Sequence, residues 1–260
     1  MTVREYAEHI VRGERLADKL VPPPGDLELA DGLPALRIPA AGRPPALAIV
    51  PVRRGIVPPI VGMRDPAQRA RILHALANHE LQAIELFAWA LLAFPDAPLP
   101  FRRGLVAILA DEQRHFALYT DRLAALSTRF GDHPVTGHFW NKLDHLTGPL
   151  EFICAMGLTF ENANLDFAND YASAARACGD LATAAVLDRV HTDEIAHVHF
   201  AWTWLARLAP PGADPWTTYL AHTRPPLGPR RARGPNFDAE ARRRAGFSES
   251  FTSRLADAFK

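Results

Sequence analysis

The chain has 260 residues, 29 of them Lys or Arg and 29 Asp or Glu, so its formal net charge is zero. That balance argues against bulk nucleic acid or an acidic membrane as the main partner. Two cysteines, Cys154 and Cys178, with no Cys-x-x-Cys, argue against a disulfide scaffold, a zinc ribbon or an iron–sulfur site. The length suits one large domain, or one domain with extensions. The charged N-terminus does not read as a signal peptide. No apolar run reaches the roughly 18 residues that a membrane span needs, so no membrane partner is expected and the cytoplasm is the default compartment.

Residues 2–20 read as an amphipathic helix through Tyr6, Ile10, Ala17 and Leu20, stopped by Pro22-Pro23-Pro24-Gly25. Residues 21–65 are rich in Pro and Gly. Their apolar runs Leu36–Ile38 and Leu47–Val52 suggest extended segments or a small hairpin within an ordered wrap. Four long helical patterns follow. The first runs from Asp65-Pro66, an N-cap followed by a proline suited to the first turn, to Phe94. The second runs from about Pro100 to Phe130, after the short link PDAPLP. The Gly- and Pro-bearing segment 131–148 leads to a third, from Pro149 to Cys178. Gly179-Asp180 turns the chain into a fourth, ending near Ala209. Two tight helix hairpins joined by a longer crossover is the connectivity of an all-α, ferritin-like four-helix bundle. Residues 210–260 carry eight Arg and one Lys against five acids, with short helices expected near 214–222, 238–245 and 248–258. The expected division is therefore 1–65, an N-terminal helix and wrap; 66–209, the bundle; and 210–260, an Arg/Pro-rich extension.

The chemistry is carried by a repeat. Asp111-Glu112-Gln113-Arg114-His115 and Asp193-Glu194-Ile195-Ala196-His197 are both Asp-Glu-x-x-His within helical patterns. Glu and His three residues apart share a helix face, one turn apart, and can hold one metal ion. One such match is weak; two at corresponding places are harder to dismiss. The halves superpose at an offset of 81, His79-Glu80 on Phe160-Glu161, and of 82 for the two Asp-Glu-x-x-His segments. Glu80 precedes Glu112 by 32 residues and Glu161 precedes Glu194 by 33. A helix that runs out, turns tightly and returns comes back to the same height after about that many residues. Glu80, Glu112, His115, Glu161, Glu194 and His197 thus form a set of two facing Glu and two Glu-x-x-His pairs, the arrangement of a di-iron or di-manganese carboxylate centre. Oxygen donors with one nitrogen per ion suit iron, manganese or a mixed pair better than zinc, and leave positions for dioxygen or water. The competing reading is a pair of Glu–His contacts on a helix surface.

At these residues the chain resembles the ferritin-like di-iron carboxylate superfamily. The phrases NHELQAIELF, DEQRHF, DEIAHVHF and FDAEARRRAGF further resemble a bacterial ferritin-like family of unassigned function, over about residues 60–250. The resemblance implies a bridged metal pair that reacts with dioxygen or peroxide. It also implies that the Asp before each helix Glu braces the histidine of the other half, Asp111 on His197 and Asp193 on His115.

Other residues are weighed beside these. Glu85 lies about 140° round the helix from Glu80, so it is a poor co-ligand and a fallback only. Its match to Asp166 suggests a shared interhelix or supporting role, against a solvated face. His191, one turn before Glu194, is a candidate extra ligand or proton shuttle, against a hydrogen-bonded core histidine. His79 also flanks the site, while His74, His133, His138, His145 and His199 read as structural. Tyr119, four residues after His115, resembles the radical tyrosine of the ribonucleotide reductase small subunit, yet its repeat counterpart is Ala201 and packing explains it as well. Trp89, Trp202 and Trp204 read as core before electron-transfer residues. Gly157, one turn before Glu161, either leaves room beside the metals or allows close helix packing.

The reading that follows is a dioxygen-dependent di-metal oxidase or oxygenase acting on a small organic molecule, with dioxygen as co-substrate. An external electron donor and a homodimer remain open as partners. One alternative is a ferroxidase or iron-handling protein. Another is a tRNA- or nucleic-acid-modifying hydroxylase using the arginines at 230–233 and 242–244, a role the superfamily contains. The last is a metal-free helical interaction protein.

Overall fold

A computed structural model describes residues 1–30 and 32–258, and helices dominate it. The chain divides into two compact units, Met1–Leu143 and Asp144–Lys260. The cut falls inside the expected bundle, between its hairpins, so that each extension belongs with one hairpin. The physical reason is that each extension is tied by buried polar contacts to the hairpin of its own unit. No helix among the described residues is long and apolar enough to cross a membrane.

The first unit opens with α1 (Val3–Arg12), whose Thr2 and Glu5 form a reciprocal capping box. The helix expected over residues 2–20 breaks here. Gly13 follows α1, and a separate short helix α2 (Leu16–Lys19) comes next. A Cβ at Gly13 would lie 2.4 Å from Asp18 Cβ, so the bend closes back on itself and only glycine fits. Among the described residues of the wrap no hairpin forms. In it, β1 (Ile49–Val50) pairs in parallel with β2 (Val135–Thr136), from the segment after the first helix hairpin. Leu36–Ile38 instead lies along the long helix that follows: Leu36 N donates to Leu92 O, and Trp89 Nε1 donates to Ile38 O.

That helix, α3 (Pro66–Ala93), starts as expected: Asp65 caps it by accepting from Gln68 N, and Pro66 occupies the first turn. Its later half is buried almost throughout, from Leu81 to Ala93. A short link leads to α4 (Leu99–Ala125). Arg102 of α4 donates to Leu91 O and Phe94 O, satisfying carbonyls that the end of α3 leaves unpaired. The helix ends four to five residues before the expected Phe130, where Ser127 takes φ 55°. Buried Gln113 donates to Lys19 O and Val21 O, tying the N-terminal segment to α4.

In the second unit the expected third helix has three parts. These are α5 (Pro149–Ala155), a π-helical segment Met156–Glu161, and α6 (Asn162–Ala177). Wide turns of this kind are uncommon and cluster at functional sites. Thr159 fixes this one: its Oγ1 is 2.8 Å from Cys154 O and 2.7 Å from the hydroxyl of buried Tyr219. Burial raises the Tyr219 phenol well above its ordinary pKa, so it remains a neutral hydrogen-bonding group. Gly179 (φ 81°) and Asp180, which caps by accepting from Thr183 N, then turn the chain into α7 (Leu181–Leu208). The extension forms α8 (Pro215–Ala221), α9 (Ala239–Arg244) and α10 (Glu249–Asp257) where they were expected. Half-buried Trp202 of α7 packs on Phe247 and Phe251 of the extension.

Gly157 faces Ala201 of α7. A Cβ there would stand 2.2 Å from Ala201 Cβ, so the residue permits close approach of the π-helical segment and α7. Gly157→Ala should destabilise the protein by about 1–3 kcal/mol through overpacking. Adding Ala201→Gly, which removes the atom it strikes, should restore most of the loss in urea unfolding.

Asp166 of α6 is wholly buried and paired with Arg242 of α9, at 2.7 Å to Oδ1 and 2.9 Å to Oδ2. Asp166 also accepts from Gly234 N and Asp238 N. Removing one partner of such a pair strands the other charge, at a cost of about 3–5 kcal/mol. Arg242→Ala should therefore lower stability by about that much, and Arg242→Lys, which cannot fork across both oxygens, should recover only part of it.

Candidate metal centre

Each unit, taken alone, gathers two carboxylates and one imidazole. In the first, Glu80 stands 13 residues before Ala93 at the end of α3, and Glu112 stands 13 residues after Leu99 at the start of α4. Equal arms on either side of the link bring the two to one level, and His115 follows Glu112 by a turn. His115 Nδ1 lies 3.5 Å from Glu112 Oε2 and 3.9 Å from Glu80 Oε2. All three side chains are buried, at 5% exposure or less.

The second unit repeats the pattern. Glu161 is the last residue of the π-helical segment, and Glu194 and His197 lie on α7. His197 Nδ1 is 3.3 Å from Glu194 Oε2 and 3.6 Å from Glu161 Oε2. The same ring nitrogen faces the same pair of carboxylates, in the same order of distance, as in the first unit. In each trio one ligand atom from every residue lies within 4.8 Å of the others.

The donor set fits a metal ion. Two carboxylates held this close inside a protein repel one another and lose their hydration, a penalty that a divalent cation offsets. Two oxygens and one nitrogen make an incomplete shell of hard-to-intermediate donors. These buried clusters of Glu and His could hold metal ions.

The flanking residues sort differently. Glu85 is neither exposed to solvent nor part of the trio. It is wholly buried, with Arg43 of the wrap at 2.7 and 3.0 Å, Trp140 Nε1 at 2.7 Å and Lys19 Nζ at 3.6 Å. The solvated-face and fallback-ligand readings fail together, because the side of α3 turned away from the trio is covered by the wrap. Burial pulls the Lys19 ammonium below its usual pKa, and the neighbouring Glu85 opposes that fall. Glu85 and Asp166 do share a role, each as the carboxylate partner of an arginine from its unit's extension.

His191 Nε2 lies 3.5 Å from Asp238 Oδ2 of the extension, and the cluster that gathers Glu161, Glu194 and His197 does not include it. His79 sits among the rings of His138 and Phe139. His74 is structural: its Nε2 accepts from Gly131 N, and burial lowers its pKa to about 4. Tyr119 is buried on α4. Asp111 pairs with Arg114 and Asp193 with Arg189 on their own helices.

Several arginines of the extension are occupied internally. Besides Arg242, Arg233 lies over the Phe237 ring and donates to Gly234 O, and Arg231 lies over the Phe160 ring. Arg230, Arg243 and Arg244 of the same two clusters are exposed, Arg243 paired with Glu240.

Sequence reasoning missed Asn164, whose Nδ2 donates to Glu194 Oε1 at 3.0 Å. The available signal was its place three residues after Glu161, on the same helix face. It also missed Arg43, for which a Pro-rich segment offers no periodic signal.

The chain belongs to the family described as "Protein of unknown function (DUF455)", whose model matches residues 4–253. No curated protein and no solved structure matches it.

If the trios hold cations, removing one carboxylate relieves repulsion when metal is absent and weakens binding when it is present. Glu112→Gln should raise the melting temperature of the metal-stripped protein. It should also shrink the further rise that Mn(II) or Co(II) gives the parent, because a ligand that binds only the native state stabilises it. Differential scanning calorimetry with and without metal checks both signs.

Proposed function

We propose that this DUF455 protein is a dioxygen-activating di-metal carboxylate oxidase or oxygenase acting on a small organic substrate. In this reading the two helix hairpins complete a ferritin-like four-helix bundle, and the two trios become the halves of one centre. The observation that carries it is the duplication of the trio: two carboxylates and an imidazole, buried, in the same order of distances, once in each repeat. A surface Glu–His contact has no reason to recur with a third, facing carboxylate buried in both halves.

Glu80, Glu112 and His115 would hold one ion, and Glu161, Glu194 and His197 the other. Iron fits this donor set best, with manganese or a mixed pair as variants. A pair of such ions, when bound, supplies the electrons for reducing dioxygen. The protein's own part is to keep the ligands in place with few degrees of freedom and to keep water out. Buried Leu81 and Ile84 on α3 and Leu109 and Phe116 on α4 flank the first trio in sequence with side chains that cannot ligate. In this reading Asp111 and Asp193, which pair with Arg114 and Arg189 on their own helices, would also brace the metal-bound histidines and so fix their tautomer.

The test begins with metal analysis of aerobically purified protein, followed by anaerobic reduction and measurement of dioxygen uptake. About two metal ions per chain and uptake that is lost in Glu112→Ala and His197→Ala are expected. Absence of stoichiometric metal, with both variants folding as well as the parent, would sink the proposal in favour of a metal-free helical protein. Sustained turnover with ferrous iron alone, by a large hollow assembly, would replace it with the ferroxidase reading.

A further inference from the structure

The two trios match in residue type, yet one neighbour breaks the repeat. Asn164 sits on α6 three residues after Glu161, and its Nδ2 donates to Glu194 Oε1 at 3.0 Å. The direction of this bond is fixed by chemistry, since an ionised carboxylate only accepts. The repeat counterpart of Asn164, at the offset of 81, is Ala83. An alanine side chain has no hydrogen to donate, so the first unit has no side-chain donor at that position.

The two oxygens of Glu194 therefore have different tasks. Oε1 is held by the amide, while Oε2 is the oxygen 3.3 Å from His197 Nδ1. One hydrogen bond fixes the rotation of the carboxylate about its last torsion, which is otherwise broad. It also sets which oxygen is turned toward the imidazole.

We propose that Asn164 is a positioning residue that makes the two metal positions unequal, with the Glu161–Glu194–His197 half organised ahead of binding and filled first. The inference rests on the reading of the trios as metal sites. It goes beyond that reading in ranking the halves and in naming the residue that ranks them. Partners that orient a ligand in this way are worth about 10–100-fold in metal affinity. An ordered ligand also gives up less freedom on binding.

Cobalt(II) titration of the metal-stripped full-length protein, followed by visible absorption and calorimetry, tests this. The parent should bind in two steps separated by about tenfold or more. Asn164→Ala should weaken the tighter step by about 10–100-fold and bring the two steps together. Asn164→Leu keeps approximately the size of asparagine without the amide, so it should behave like the alanine variant. Melting temperatures of the metal-free variants close to the parent's would show that folding is intact. A leucine variant with parent-like binding would reduce Asn164 to a packing residue and overturn the proposal. Two bound ions with both steps unchanged in the two variants would overturn it while leaving the metal-centre reading standing. A parent that takes up no cobalt would overturn both.

Discussion

Glu85 and Asp166 are wholly buried carboxylates, each five residues after the first Glu of its trio, and each is neutralised by an arginine from outside the hairpin. Much of the structure depends on these two contacts. An unpaired carboxylate in such a place is too costly to keep ionised. Arg43 must therefore be delivered by the Pro-rich segment before α3, and Arg242 by the segment after α7. The extensions are thereby drawn into the units they cover. Arg43 also approaches Asn78, whose amide donates to Thr136 O, and Asp166 gathers the backbone of residues 234–238 around Arg242. The same helices that present Glu80 and Glu161 on one side are clamped from the other.

That arrangement explains what could be read from the sequence and what could not. Glu80 and Glu161 were legible because helices convert a count of residues into a height, and counts of 32 and 33 survive in the primary sequence. The cap at Asp65, the turn at Gly179-Asp180 and the short helices of the extension were legible for the same local reasons. The angular argument that made Glu85 a poor co-ligand agrees with its bonds to Arg43 and Trp140. The accompanying expectation of solvent failed, because what lies across that face is set by a loop. Loops have no period, so nothing near Arg43 announces its partner 42 residues away. The break at Gly13 was hidden by apolar residues that continue the helical spacing across it. Asn164 carried two signals, its place three residues after Glu161 and its mismatch with Ala83 in the other half.

Close packing and polar pairing have different parts in the two units. In the first, the segment after α4 is sewn to α3 by polar side chains: Gln82 accepts from Phe139 N, Asn78 donates to Thr136 O, and Trp140 donates to Glu85. In the second, Gly157 packs tightly on Ala201 beside a hydroxyl pair linking Thr159 to Tyr219, and the extension is held by Asp166 through Arg242. The repeated chemistry is held by unlike scaffolds: the distances within the two trios agree while their surroundings do not.

The π-helical segment has one more effect. A wide turn absorbs about one extra residue, so the 3.6-residue count along this helix slips by about one position across it. A helical wheel drawn through Pro149–Ala177 is therefore two wheels, joined out of phase between Met156 and Glu161, whereas α3 remains a single wheel from end to end. The two halves may be compared residue by residue downstream of Glu161, but not upstream on the same phase. The second half thus carries a dislocation in its backbone lattice that α3 lacks, and Glu161 stands at its edge.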